Sequence, residues 1–189
     1  MEPGSGQLAC GTTGPGRLPE PEDVVDRFLG CLSPKDLKGK KILVTAGPTI
    51  EPIDPVRFIS NPSSGKMGFA VAKAAEHRGA EVTLISGPTH LADPMHVTTI
   101  RVRTAEEMAH QVFRLMENAE VIIKSAAVSD YRPKQSKIHK IKKGKSEMVL
   151  RLQQNKDILK TLGQKKKQQV LVALKLIPKA ISLWLELPF

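Results

Sequence analysis

The sequence predicts an α/β fold: a doubly wound, mostly parallel sheet. Three observations lead there. From Lys40 onward, short apolar runs of strand length alternate with amphipathic stretches of helix length. The runs are apolar throughout rather than alternating with polar residues, as strands covered on both faces are. The richest turn chemistry falls after the runs, where sheets of this kind hold their ligands.

Residues 1–23 are poor in apolar side chains and rich in Gly, Pro and Glu, and read as loop. Val24 to Leu32 reads as one amphipathic helix with Val24, Val25, Phe28 and Leu29 on one side. A linker over 33–39 leads to a first strand at Lys40–Thr45. A loop over 46–65 follows, its path fixed by Gly47, Pro48, Pro52, Pro55 and Pro62. The helix that opens at Gly65 carries Met67, Val71, Ala74 and Ala75 at core-facing spacing, and Gly79 supplies its stop. Glu81–Ser86 is a second strand and Val97–Val102 a third. Thr104 caps a helix over Ala105–Glu117, with Glu107 at the capping-box position. Val121–Lys124 is a fourth strand and runs into a second informative loop, 125–132. There are no internal repeats.

Composition bounds the function. A chain of 189 residues that is 40% apolar, with mixed charge, suits one globular domain. Cys10 and Cys31 form no paired motif, and His77, His90, His96, His110 and His139 lack metal-ligand spacing, so no metal site is assigned. No apolar run reaches membrane-spanning length, and a reducing, cytoplasmic setting with no membrane partner is expected. The net charge of +10 is local: residues 132–167 hold 13 Lys/Arg against 2 Asp/Glu. Nucleic-acid binding, a clamp over a polyphosphate, and a solvated lysine-rich surface would each explain that segment. Nucleic acid is the weakest and is not expected as a partner, because the segment has no recognised binding motif and its one neighbouring aromatic is Tyr131. Tyr131 reads as packing rather than base stacking.

The loop at 46–65 carries the first chemical signal. Strand, turn-rich loop and helix start together present backbone N–H groups to an anion. Ser63, Ser64, Gly65 and Lys66 stand where hydroxyls, free amides and a counter-charge would hold phosphate. The pattern is not a Walker A loop, which needs Gly at 60 and Ser or Thr at 67, where this chain has Ser60 and Met67. A plainer reading makes Ser64 an N-cap, Gly65 and Gly68 packing residues, and Lys66 a solvated side chain.

Four segments then resemble one family in order and spacing. They are TAGPTIEPIDPVRFISNPSSGKMG (45–68), SAAVSDYRP (125–133), KIKK (140–143) and NKDIL (155–159). They are similar to phosphopantothenoylcysteine synthetase, the second half of the bacterial bifunctional coenzyme A protein, over about Leu37 to Val172. The resemblance implies a Rossmann-like sheet and a CTP-dependent acid–amino-acid ligase. CTP activates 4′-phosphopantothenate as an acyl-cytidylate, cysteine attacks, and CMP and pyrophosphate leave, with Mg²⁺ accompanying the nucleotide. The alternative is a nucleotide-binding remnant without turnover.

The resemblance also implies roles. Asn61 orients or stabilises the acyl-cytidylate. Gly47, Ser63, Ser64, Gly65 and Lys66 hold phosphate. Lys124, Ser125 and Ala126 form the nucleotide-side loop through their backbone, Asp130 binds cytosine or ribose, Lys140 reaches the triphosphate, and Asn155 and Lys156 lie against the nucleotide. Residues 132–145 resemble the family's strap, which crosses a homodimer interface. SGQLACGTTGPGRLPEP (5–21) resembles the substrate clamp that ends the partner decarboxylase domain. There the cysteine corresponding to Cys10 is a proton donor. The FMN of that domain is not expected to bind here, and Cys10 is expected to be vestigial.

The expected organisation is therefore a decarboxylase-clamp remnant over 1–23, a helix and linker over 24–39, a partial CTP-binding synthetase domain over 40–172, and a tail over 173–189. The tail departs from the family pattern, which would continue Gly-Phe-Ala-Ala-Glu-Thr where this chain has Ala173-Leu174-Lys175-Leu176-Ile177-Pro178. Its origin is expected to be a frameshift or a gene-model error, leaving the sheet incomplete at its C-terminal part. Leu183, Trp184, Leu185, Leu187 and Phe189 would then form an uncovered apolar end.

Overall fold

The chain opens with an antiparallel hairpin, β1 (Gly4–Gln7) and β2 (Thr13–Arg17), in a computed structural model that describes residues 4–142 and 147–174. The segment reads as loop in sequence because it lacks apolar alternation. Its pairing is a backbone ladder, closed by Leu8 N–H to the Thr12 carbonyl, with Gly11 at φ 82°. Helix α1 (Pro21–Leu32) begins three residues before the expected Val24, because Pro21 is preset for a first helical position and Glu22 and Asp23 favour the first turn. The boundary drawn at 23/24 therefore cuts through a helix.

The core sheet follows. Strand β3 (Lys41–Ala46) leads into a two-stranded ribbon, β4 (Ile50–Pro52) with β5 (Phe58–Ser60), inside the segment expected to be loop. Helix α2 (Lys66–His77), strands β6 (Glu81–Ser86) and β7 (Thr98–Arg101), helix α3 (Ala105–Leu115) with a 3₁₀ turn at Met116–Asn118, and strand β8 (Val121–Lys124) come next. A second ribbon pairs β9 (Tyr131–Pro133) with β10 (Leu152–Gln154). Helix α4 (Ile158–Lys165) and strand β11 (Val170–Ala173) end the described chain.

The sheet runs β11-β8-β3-β6-β7, every pairing parallel. From β3 the chain adds β6 and β7 on one side, then returns to place β8 and β11 on the other. The order therefore reverses between β3 and β8, and in such sheets ligands bind in the crevice outside the strand ends at that point. One face buries Ile42, Val44, Phe69, Ala72, Ala75, Val82 and Leu84 under α2. The other buries Leu43, Ile85, Met108, Val112, Ile122, Ile158 and Leu162 under α3 and α4.

Helix α2 is rotated from the face the sequence predicts. It buries Gly68, Phe69, Ala72 and Ala75, while Met67 is exposed. Small residues at 68 and 72 let the helix axis come close to β3, and that proximity decides the face. Gly79, at φ 90°, follows the C-cap as expected. Thr104 caps α3 by accepting from Glu107 N–H at 3.1 Å. The Glu107 carboxylate reaches back to Arg103 N–H at 2.7 Å, one residue before the expected capping-box partner.

Helix α1 docks through its polar side. Asp26 lies 2.6 Å from Lys73 and 2.8 Å from His77. The Lys35 ammonium donates to Gly30 O and His77 O, both at 2.6 Å, and so closes the C-terminal ends of both helices. The apolar side of the helix lies in solvent, with Val25 57% and Phe28 62% exposed. Tyr131, expected to pack, is 52% exposed on β9. The expectations for residues 175–189, including the apolar end Leu183 to Phe189, lie outside the described residues.

Candidate functional site

The site is built where β3 and β8 end. Beyond the ladder the two chains stay parallel. Ser125 N–H donates to Thr45 O, Ala126 N–H to the Thr45 hydroxyl, and Ala127 N–H to Gly47 O, at 3.2, 3.3 and 2.9 Å. Thr49 continues the seam: fully buried, it accepts from Ser129 N–H at 3.0 Å through its hydroxyl, and its carbonyl accepts from the Ser60 hydroxyl at 2.8 Å. Buried threonines thus supply the hydrogen bonds that strand pairing would have made. Asn61 closes the arrangement, its Nδ2 donating to Val128 O at 3.1 Å across 67 residues of sequence. One N–H and the Oδ1 of this exposed side chain make no other hydrogen bond among the described residues.

Gly65 is the N-cap of α2, rather than Ser64, and its φ of 76° is left-handed. A side chain there would strike Thr89 at 2.7 Å. No side chain caps the helix; the Ser63 and Ser64 hydroxyls only approach the amides of Gly65 and Lys66, at 3.3 and 3.5 Å. The 12-residue helix therefore has no side-chain cap and sets the positive end of its dipole beside the Gly47 turn. Gly47, at φ 74°, is buried against it, with the backbone N of Gly47 3.4 Å from a Cβ placed on Gly65.

Several expected residues serve the loops instead of facing open space. The amides of Ser125 and Ala126 already have internal acceptors, and Leu174 N–H takes the Lys124 carbonyl at 2.9 Å. Asn155 is buried: its Nδ2 donates to Ser129 O at 2.8 Å, its N–H to Asp130 O at 2.8 Å, and its Oδ1 accepts from Arg132 at 3.2 Å. It holds the 129–132 loop in shape. Lys156 stands 4.8 Å from the centre of the Phe113 ring and borders a cleft of about 440 Å³ with Arg132 and Asn155. Lys66 borders a different cleft, about 310 Å³, between α2 and α1. Asp130 is exposed, and its carboxylate makes no hydrogen bond among the described residues. Cys10 is exposed on the β1–β2 hairpin, 3.1 Å from the Thr12 hydroxyl, which holds the thiol below its ordinary range.

Sequence reasoning missed a clasp. The Asp54 carboxylate, buried, accepts from Val56 N–H at 2.9 Å, Arg57 N–H at 2.8 Å, the Arg57 guanidinium at 2.6 and 3.0 Å, and Ile141 N–H at 3.1 Å. Arg57 also donates to Ile141 O at 2.8 Å, and Lys137 N–H to Ile53 O at 2.9 Å. Burial pushes the Asp54 carboxyl up, but the bonds from Ile141, Arg57 and Val56 outweigh it and hold it well below the usual carboxylate range. The residue beside Ile141 is Lys140, so the clasp fixes the basic segment one position from its candidate triphosphate lysine. The IDPVR run was visible in the sequence, but its partner lies more than 80 residues away.

Comparison with known proteins agrees with the fold. The chain matches the DNA/pantothenate metabolism flavoprotein C-terminal domain over residues 37–179, which starts where the sequence resemblance starts and runs seven residues beyond its end at 172. It is 47% identical over 176 residues to the coenzyme A biosynthesis bifunctional protein CoaBC of Bacillus subtilis, covering 91% of this chain and 43% of that protein. It is also 47% identical over 179 residues to a cysteine/cysteine sulfinic acid decarboxylase of an unknown prokaryotic organism, covering 91% of this chain and 50% of that protein. The chain spans about half the length of the curated relatives it matches. A crystal structure of the C-terminal domain of CoaBC is 52% identical, with a TM-score of 0.63 over 71% of this chain and 63% of that one. With three quarters of its length under one match, and the same sheet beneath it, the chain belongs to the DNA/pantothenate metabolism flavoprotein C-terminal domain family.

Proposed function

We propose that the chain is a phosphopantothenate–cysteine ligase that uses CTP. It activates the carboxylate of 4′-phosphopantothenate as an acyl-cytidylate, releases pyrophosphate, and passes the acyl group to the amine of cysteine with loss of CMP. The observation that carries this reading is the seam between the loops after β3 and β8, closed by Asn61 to Val128 O. It lies at the point where the sheet order reverses, and it joins two of the four segments that resemble the ligase family. The names of the relatives, which place CoaBC in coenzyme A biosynthesis, support the same reading.

The chemistry brings a carboxylate up to an α-phosphate that already carries negative charge. Positioning and positive potential must supply most of the barrier reduction. The uncapped end of α2, with Gly65 and the Ser63 and Ser64 hydroxyls, offers donors to phosphate oxygens. Lys140, next in sequence to the residue that the Asp54–Arg57 clasp holds, offers a point charge to the triphosphate. Asn61 is held by its bond to Val128 O, so its second N–H is aimed before substrate arrives and can stabilise an oxygen of the acyl-cytidylate. Asp130 is free to accept from cytosine or ribose. Among the described residues no three His, Cys, Asp or Glu side chains converge to hold a metal. Magnesium would enter on the phosphates of CTP, where it offsets their charge.

The test is pyrophosphate release from the purified chain given 4′-phosphopantothenate, cysteine, Mg²⁺ and CTP, with ATP as the control. CTP-dependent release is expected. CTP binding without release would instead support a nucleotide-binding module, and neither binding nor release would overturn both readings.

A further inference from the structure

Three loops of the site meet at one side chain that no motif singled out. Thr89 lies three residues past β6. A Cβ placed on Gly47 would stand 2.9 Å from the Thr89 methyl, and one on Gly65 would stand 2.7 Å from the same methyl. The methyl therefore fills the notch between the exit of β3 and the N-cap of α2, at the two glycines that adopt left-handed backbone there. Neither glycine can supply that volume itself without backbone strain.

The hydroxyl has a separate partner. It accepts from the Arg101 guanidinium at 3.2 Å. Arg101, at the end of β7, also donates to Leu91 O at 3.1 Å, pairs with Asp93, and lies 5.5 Å from the centre of the Phe69 ring in the first turn of α2. One guanidinium thus ties the loop after β6 to the helix whose N-terminus Thr89 abuts. The bond to Arg101 selects the rotamer that turns the methyl, not the hydroxyl, toward the glycines. Threonine is the side chain that satisfies both sides of this junction at once.

We infer that Thr89 is a positioning residue: its methyl, oriented by Arg101, sets the angle between the Gly47 turn and the first turn of α2. That angle decides where the uncapped amides point. The consequence for ligand affinity rests on the ligase reading above; the mechanical role does not.

The experiment compares Thr89→Ser, which keeps the hydroxyl and removes the methyl, with Thr89→Val, whose two methyls fill the notch without Arg101 having to choose the rotamer. Both are made in the full chain. Two readouts are taken: amide hydrogen exchange at Phe69 to Val71, where Phe69 N–H closes the first turn on Gly65 O at 3.2 Å, and calorimetric titration with Mg·CTP. Thr89→Ser is expected to speed exchange in that turn about tenfold and to weaken CTP about tenfold, with the exchange of α3 unchanged. Thr89→Val should recover both to within about threefold. Equal acceleration throughout the chain, no effect of Thr89→Ser, or a Thr89→Val as damaging as Thr89→Ser would each overturn the inference. If the wild-type chain binds no CTP while Thr89→Ser still loosens the first turn alone, the ligase reading fails and the positioning role stands.

Discussion

Gly68 is where the approach of α2 to the sheet can be put to a quantitative test. A Cβ at this position would lie 2.5 Å from the Ala46 Cβ and 3.1 Å from both the Ala46 Cα and the Thr45 carbonyl oxygen. Carbon atoms in contact prefer about 3.5–4.0 Å, so Gly68→Ala must push the helix off β3 by about 1 Å. Forcing an extra carbon into a packed core costs about 1–3 kcal/mol. The obstacle here is strand backbone and a rigid methyl, which puts the cost at the upper end. Replacing a helical glycine by alanine returns about 1 kcal/mol. The net is a loss of about 2 kcal/mol.

Gly163 in α4 supplies the opposite case. Nothing lies within 4 Å of a Cβ there, so Gly163→Ala keeps only the helix gain and should stabilise by about 0.5–1 kcal/mol. Urea unfolding of both variants, followed by far-ultraviolet circular dichroism, reads the two signs directly. A Gly68→Ala protein as stable as the wild type or more so would refute the packing argument, and with it the claim that α2 is held at a fixed distance from the strand end.

Two further outcomes follow from particular contacts. Thr104→Ala removes the one side-chain acceptor for Glu107 N–H and should cost about 1 kcal/mol in the same unfolding assay; no change would mean that the cap is made by other groups. The Asp54 carboxyl is depressed in the folded chain, so its contribution to stability is complete above its unfolded value near 4 and is lost as pH falls below that toward the folded value. Asp36 and Glu120, lowered by their bonds to Arg78 and Lys40, act in the same direction but lie exposed, where solvent screens them. An acid titration of Asp54→Asn, followed by circular dichroism, should therefore start less stable at pH 7 and lose stability less steeply below pH 4 than the wild type; matching slopes would count against the clasp.

The core of the fold was legible because it is local and apolar. Strands 81–86 and 121–124 have the predicted bounds, Thr104 caps as expected, and Gly79 stops α2. Short backbone pairings leave little side-chain period to read, which is why the hairpin at 4–17 and the ribbon at 50–60 read as loop from the sequence. Amphipathicity marked α1 as a helix but could not say which side would dock, and Asp26 and Gly30 decided that through His77. In the site, the resemblance named Asn61 and Asn155 alike. Only three-dimensional contacts separate them: Asn61 is exposed with donor capacity to spare, and Asn155 is buried with its amide committed to the loop beside it. Asp54, Arg57, Thr49 and Thr89 were invisible as site residues because each acts on a partner distant in sequence.

The most direct measurement is mass spectrometry of the reaction itself. The purified chain is given 4′-phosphopantothenate, Mg²⁺ and CTP, first without cysteine and then with it. The account predicts 4′-phosphopantothenoyl-cytidylate in the first reaction, and 4′-phosphopantothenoylcysteine with an equal amount of CMP in the second. Absence of both species from a folded chain that binds CTP would contradict it.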